Sequence, residues 1–214
     1  MQLLLADTAQ AAWAQQQVAA HHYLHAAVDP RCSPLVYVAE HTGGLVGCLI
    51  FGRPESTRCY DPQSRLTYGS FEDVQAGRCV YDRWELINLA RVWLDPRVQR
   101  GGAAYVPRAA STLIKAALSR VGYDYLVARP PVDCNRPYQL RACMSYCDTR
   151  IHTGYLYRAC RFKLARTNRQ GIQTFMRALP ALSAEQDAQI RRLAAQHPRS
   201  RRIRAKRTVI QLSF

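Results

Sequence analysis

The strongest constraint on this chain is a pair of apolar, partly β-branched runs, Leu35-Val36-Tyr37-Val38-Ala39-Glu40 and Leu45-Val46-Gly47-Cys48-Leu49-Ile50-Phe51, joined by His41-Thr42-Gly43-Gly44. Two such runs around a short glycine-bearing turn specify a β-hairpin. A hairpin alone is only marginally stable, so further strands and a covering layer must follow. Residues 84–94, Trp-Glu-Leu-Ile-Asn-Leu-Ala-Arg-Val-Trp-Leu, supply a buried strand that Asp95-Pro96 stops. After a loop holding Gly101-Gly102, residues 103–120 place Val106, Ala109, Ala110, Leu113, Ile114, Ala117 and Leu118 on one helical stripe. Residues 123–128 then read as a short strand. Strand, glycine turn, helix and strand make a βαβ unit, which implies a parallel pair covered by its helix. The expected fold is α+β, a mixed central sheet flanked by helices.

The flanking segments are coarser. Residues 7–27 read as a helix capped by Asp7 or Thr8, residues 52–83 as a long loop, 138–147 as a short helix and 159–164 as a strand. Ser183 caps a helix reaching Gln196, and residues 208–214 alternate like a terminal strand. At 214 residues the chain has room for one substantial core. It is expected as a single domain over 1–214, with a basic helical and loop insertion at 165–207 before the terminal strand.

Charge separates the two ends. The net charge is +15; from Tyr157 onward fourteen Arg/Lys face only Glu185 and Asp187, which leaves +12 there and +3 in the rest. A concentrated cationic region is the footprint of a polyanion partner, and nucleic acid is the first candidate. Arg199, Arg201, Arg202, Arg204, Lys206 and Arg207 form the densest run and are the expected DNA contacts. The eight cysteines lack Cys-x-x-Cys or tandem ligand spacing, which points to reduced, mostly buried thiols rather than a cysteine zinc site. The start, Met1-Gln2-Leu3-Leu4-Leu5-Ala6-Asp7, has no basic leader, and no later run reaches membrane-spanning length, so a cytoplasmic location without a membrane partner is expected.

Two motifs carry chemistry. Gln99-Arg100-Gly101-Gly102-Ala103-Ala104 leads into the main helix. Glycines that admit backbone N–H groups, next to a helix N-terminus, suit an anion. Together with the order of elements, this loop resembles the GNAT acyltransferase core. That resemblance implies acetyl-CoA as cofactor, held by Val92, Leu94, Gln99, Arg100, Gly101, Gly102, Ala103, Ala104 and Ser111.

The second motif is longer: Ser145-Tyr146-Cys147-Asp148, then His152-Thr153-Gly154, then Leu156-Tyr157-Arg158-Ala159 and Phe162. With His22-Tyr23, Arg91 in the central strand and Ser111 in the main helix, it resembles the Mom family of phage DNA-modification proteins, a GNAT offshoot. That family carries Ser-Tyr-x-Asp, His-x-Gly and Ile/Leu-Tyr-x-Ala elements. The likeness covers residues 21–162 and fades over 53–83. The chain departs from the family in the turn before its main helix, which is asparagine-rich there and closer here to the ordinary GNAT loop.

The resemblance implies modification of the N6 amine of adenine in double-stranded DNA, adding a carbamoylmethyl group that blocks host restriction. Asp148, Tyr157, Arg91, His22 and Tyr23 become the expected catalytic residues. Asp148 would accept an N–H of the weakly nucleophilic adenine amine, and Tyr157 would protonate the CoA thiolate. Tyr23, Trp93 and Tyr146 would line the pocket for a base taken out of the stack. A carbamoylmethyl product joins nitrogen to an sp3 carbon, which simple acyl transfer does not do. Iron held by His22, Tyr23, Asp148 and His152 is therefore part of the expectation. Plainer readings stand beside these: Arg91 paired with Glu85, Tyr157 and Phe162 as core aromatics, Asp148 as a turn cap, and the whole chain as an ordinary N-acetyltransferase acting on protein, polyamine or tRNA, or as a non-enzymatic DNA-binding protein.

Overall fold

A computed structural model describes residues 1–54, 56, 59–60, 66–131 and 139–196. The basic run at 199–207 and the strand expected at 208–214 lie outside the described residues. In chain order the elements are β1 (Gln2–Leu5), α1 (Thr8–His21), β2 (Leu35–His41), β3 (Gly44–Gly52), β4 (Cys59–Tyr60), β5 (Leu66–Tyr68), α2 (Phe71–Gln75), β6 (Leu86–Leu94), α3 (Ala109–Leu118), α4 (Val121–Ala128), β7 (Ala142–Asp148), α5 (Tyr155–Ala159), β8 (Lys163–Thr167), β9 (Ile172–Ala178) and α6 (Ala184–Gln196).

Seven strands form one mixed sheet in the order β1-β2-β3-β6-β7-β9-β8. Every neighbouring pair in it is antiparallel except β6 with β7. This is the α+β class expected, with helices on both faces. On one face Leu113, Ile114 and Leu118 of α3, Tyr125 of α4 and Ile190 of α6 pack against Tyr37, Leu49, Phe51 and Leu89 of the sheet. On the other, Ala14 and Val18 of α1 cover Val36, Val38 and Ile50. Each large apolar side chain buried here contributes roughly 1.5–3 kcal/mol.

The hairpin closes as its turn residues demand. Thr42 and Gly43 both take positive φ, 49° and 80°, the pattern of the two-residue turn whose twist matches the strands. Asp7 caps α1 through a capping box with Gln10. That helix stops at His21, short of the expected Ala27, because Gln15 Oε1 accepts the Val28 N–H (2.9 Å) and folds the chain back along it.

Several expected elements change type. Residues 123–128 form α4 rather than a strand. Buried Asp124 accepts the Tyr37 hydroxyl (2.7 Å) and pairs with Arg120 (2.5 Å), and this tertiary network overrides a short apolar run that fits either structure. The parallel partner of β6 is instead β7, in a segment expected to be helical. Its residues are buried on both faces, which erases the alternation a half-exposed strand would show. The strand expected at 159–164 begins four residues later, after the single-turn helix α5. Inside the segment expected as a helical and loop insertion, Ile172–Ala178 is a sheet strand beside β7. Residues 52–83 contain β4, β5 and α2, and Cys59 of β4 and Tyr68 of β5 pack with Leu86, Ala142 and Met144. Seven cysteines are described, with free thiols, and five of them are buried.

Candidate active site

β6 and β7 pair over only three residues, Leu86 with Ala142 through Asn88 with Met144. At the point where they part, the buried Ser145 hydroxyl donates to the Leu89 carbonyl (2.8 Å). Beyond it the strands diverge, and a cavity of about 870 Å³ opens in the gap, lined along β6 from Leu89 to Leu94. Separated strands leave backbone N–H and C=O groups in need of partners, so the open edge of β6 suits an extended, amide-bearing ligand. The end of α1 contributes His21, His22 and Tyr23 to the wall. β7 contributes Tyr146, and the turn after it contributes His152, Thr153 and Gly154. α5 adds Tyr155, Leu156 and Tyr157.

A second cavity of about 470 Å³ lies at the N-terminus of α3 and shares Leu94, Gln99, Ala110, Tyr155 and Leu156 with the first. Arg100, Arg108 and Lys115 line it, with Ser111. Arg108 precedes the helix in a left-handed conformation (φ 57°), and no side chain caps that end. The first-turn N–H groups and the helix dipole therefore reinforce three cations around one opening, a setting for phosphate.

The expected cofactor residues divide accordingly. Val92, Leu94 and Gln99 line the large cavity, and Leu94, Gln99, Arg100 and Ser111 the smaller. Gly101, Gly102, Ala103 and Ala104 line neither, and the helix they were expected to open starts at Ala109. Their role is to close a turn. The Gly102 and Ala104 N–H groups donate to Gln99 and Arg97 carbonyls (both 2.9 Å), and Gly101 has φ 88°. A Cβ on Gly102 would strike the carbonyl oxygens of Pro96 and Arg97. Arg108 and Lys115 escaped sequence reasoning, although Arg108, Ser111 and Lys115 follow the i, i+3, i+7 spacing of one helix face.

Around the large cavity the titratable groups have distinct states. Burial first, then the positive field of Arg91 and the neighbouring histidines, lowers His22 to about 4, so its ring is neutral at ordinary pH. His22 Nδ1 accepts the Leu24 N–H (3.2 Å), which assigns the ring proton to Nε2. Neutral His22 is thus a hydrogen-bond donor at Nε2, without a free lone pair for a proton or a metal. Tyr23 packs against His22 (ring centroids 4.4 Å apart) and His152 (5.1 Å), and burial raises its phenol. Burial pushes the Tyr157 phenol up to about 12; its hydroxyl donates to the Tyr146 carbonyl (3.2 Å) and its ring stacks on Phe175 (5.2 Å). Arg91 donates to the carbonyls of Ala90 (2.8 Å) and Ala26 (3.4 Å), while Glu85 pairs with Arg141 (3.1 Å). His21 stacks on Trp93 at 5.7 Å and 21°.

Asp148, expected as a catalytic residue, sits behind the cavity lining. It is 7% exposed and does not line the cavity. Its carboxylate accepts from the Arg150 guanidinium (2.6 and 3.0 Å) and the Arg150 N–H (3.0 Å), which hold it down to about 2. The carboxylate is ionised and engaged by Arg150, and the residue caps the turn that carries His152. The ligand set expected for iron does not assemble either. His22 Nδ1 faces Leu24 and Asp148 faces Arg150. Among the described residues, no group of three or more His, Cys, Asp or Glu stands where it could hold a metal ion. No described helix is long and apolar enough to cross a membrane.

No family model and no curated protein sequence matches this chain. Among solved structures it is similar to yncA of Salmonella typhimurium, described as an acetyltransferase and solved with its cofactor acetyl-CoA, at TM-score 0.47 and 14% identity over 86% of this chain and 96% of that one. It is similar to the ribosomal-protein-alanine N-acetyltransferase of Brucella melitensis at TM-score 0.45 and 14% identity, over 84% and 100% of the two chains. With MesI, a CoA-dependent acyl-homoserine lactone synthase, the TM-score is 0.38 at 16% identity, over 82% and 77%. These are partial likenesses in the course of the chain; what each protein acts on belongs to that protein.

Proposed function

We propose that this chain is an acyl-CoA-dependent transferase of the GNAT type that modifies the N6 amine of adenine in double-stranded DNA, leaving a carbamoylmethyl-type group that protects the DNA from restriction. The observation that carries the reading is the opening made by two adjoining cavities, cationic at the end of α3 and threading between β6 and β7. An acyl-CoA has that sequence of chemistry: phosphates, an arm with amides, and a thioester. Arg100, Arg108 and Lys115 would hold the phosphates and the edge of β6 the arm, with Val92 and Leu94 against it. When bound, the cofactor would supply an activated carbonyl and a thiolate leaving group; attack of the amine there gives an N6-acyl adenine, and the carbamoylmethyl-type product needs in addition an ammonia-level nitrogen and a two-electron oxidant at the acyl methyl carbon.

The chain's own residues supply positioning and protons. Tyr157 keeps its proton at neutral pH, as a donor to a leaving thiolate must. Arg91 and the Nε2–H of His22 are hydrogen-bond donors on the other side of the opening, suited to acceptor atoms of a purine or carbonyl. Trp93, Tyr146 and Tyr23 offer the aromatic surface a purine needs once it leaves the stack. The adenine amine is neutral before attack, so the site needs a donor at the departing sulfur more than a strong base. The residues named here serve the acyl-transfer step; of the four residues expected to hold iron, His22 and Asp148 are otherwise engaged.

The DNA half of the reading rests on charge and on the motif likeness. From Thr149 to Ala184 the chain has seven Arg/Lys and no Asp or Glu, and Arg199, Arg201, Arg202, Arg204, Lys206 and Arg207 continue that bias. Plasmid DNA from cells expressing the protein should resist restriction enzymes whose sites contain adenine, and plasmid from cells expressing Tyr157→Phe should be cut. Equal cutting of both, with the protein abundant and folded, rejects this reading.

A further inference from the structure

The turn between β7 and α5 and the first residue of α5 each project an apolar side chain from the protein surface: Ile151 is 52% exposed and Tyr155 is 74% exposed. Single exposed apolar residues are ordinary on soluble proteins. This pair differs in how firmly its backbone is held and in what surrounds it. The N–H groups of Ile151 and His152 donate to the Asp148 carbonyl (3.1 and 2.9 Å), and Thr149 Oγ1 donates to Gly171 (2.7 Å). The Arg158 guanidinium holds the Thr153 carbonyl. Gly154, at φ 70°, lies against the Phe175 ring where a Cβ would not fit, so the chain can make this turn only there. Tyr155 follows directly and borders both cavities. Arg150, Arg158, Arg161 and Lys163 flank the pair in sequence, in a stretch from Thr149 to Ala184 with no carboxylate.

An apolar tip on a pinned turn that is rich in cations, with its one carboxylate, Asp148, held by Arg150, matches one kind of partner. Cations approach phosphates, and a rigid aromatic enters a base stack at low entropic cost. Extrusion of a base leaves a gap in the duplex, and filling it offsets part of the unstacking penalty. We propose that Tyr155, supported by Ile151, is a wedge that enters the DNA stack where the adenine leaves it. This rests on the DNA reading above.

The test is equilibrium binding of the full-length protein to a fluorescent duplex of mixed sequence, and to the same duplex with mismatched adenines, for wild type, Tyr155→Ala, Tyr155→Phe and Ile151→Ala. One lost base–aromatic stack should weaken Tyr155→Ala binding to the paired duplex about tenfold, equivalent to ~1.4 kcal/mol. The defect should shrink on the mismatched duplex, whose bases open more easily, and the salt slope should stay that of wild type. Ile151→Ala should lose less, and Tyr155→Phe should bind like wild type because it keeps the ring. Melting temperatures of all variants should agree, since both side chains are exposed. If Tyr155→Ala binds both duplexes like wild type, the wedge is wrong while the DNA reading stands. If Tyr155→Phe loses as much as Tyr155→Ala, the hydroxyl and not stacking is responsible, and the wedge is again wrong. Wild type that fails to bind duplex DNA at all removes the DNA reading, and the wedge with it.

Discussion

Gly101 and Gly102 stand side by side, yet alanine at each should have different consequences. A Cβ at Gly101 meets nothing within 4 Å, so Gly101→Ala carries only the penalty of φ 88°, about 1–2 kcal/mol. At Gly102 the new carbon would collide with the carbonyl oxygens of Pro96 and Arg97, backbone atoms that no rotamer change can clear. The turn must open, and with it the 2.9 Å bonds from Gly102 to Gln99 and from Ala104 to Arg97. Two lost hydrogen bonds at about 1 kcal/mol each, with overpacking strain of about 1–3 kcal/mol, give roughly 3–5 kcal/mol in all. The same turn carries Gln99 and Arg100 to the cavities, so CoA affinity should fall more than stability alone requires. Urea denaturation gives the first quantity and isothermal calorimetry with CoA the second. Gly102→Ala as stable as Gly101→Ala, or CoA binding equal to wild type in both, would refute the argument that this turn is a closed support for the phosphate end.

Removing the Tyr157 hydroxyl with phenylalanine should lower kcat by about 10²–10⁴-fold with little change in KM for the acyl-CoA, as loss of a general acid does; a pure KM effect in steady-state kinetics would assign Tyr157 to binding. Arg108→Ala and Lys115→Ala should each weaken CoA binding and flatten its dependence on salt, read by calorimetry at two ionic strengths, while binding of dephosphorylated pantetheine should not change. His22, lowered in the fold to about 4 from an ordinary 6.5, takes up its proton more readily when unfolded. Its contribution to stability is therefore full above pH 6.5 and is lost as pH falls toward 4, so thermal melts of wild type and His22→Gln should converge or cross in that window and run parallel above it.

What could be read from the sequence follows from which forces are local. The hairpin at 35–51, the strand ending at Leu94, the stripe of α3 and the Ser183-capped α6 were all legible, because periodicity and turn residues lie within a short window. β7 was not. Its seven residues sit between β6 and β9 with both faces covered, so burial left no alternation to distinguish it from a helix. α4 was misread for a tertiary reason: the Tyr37–Asp124 bond spans 87 positions, and nothing near Asp124 announces its partner. At the site, the motif spacing led to His22, Tyr23, Arg91, His152 and Tyr157, which the structure places around one cavity. The same motif led to Asp148, which the structure pairs with Arg150 two residues away in the turn that carries His152. Arg108 and Lys115 depended on where α3 starts, six residues later than the apolar stripe suggested.

The most direct measurement is nucleoside mass spectrometry of DNA from cells expressing the wild-type protein or Tyr157→Phe. The account predicts a new adenosine derivative with the mass of a carbamoylmethyl-type adduct in wild type and its near absence in the variant. An acetyl adduct would keep the acyl-CoA site and overturn the proposed product. Unmodified adenine in both, from cells rich in folded protein, would contradict the account.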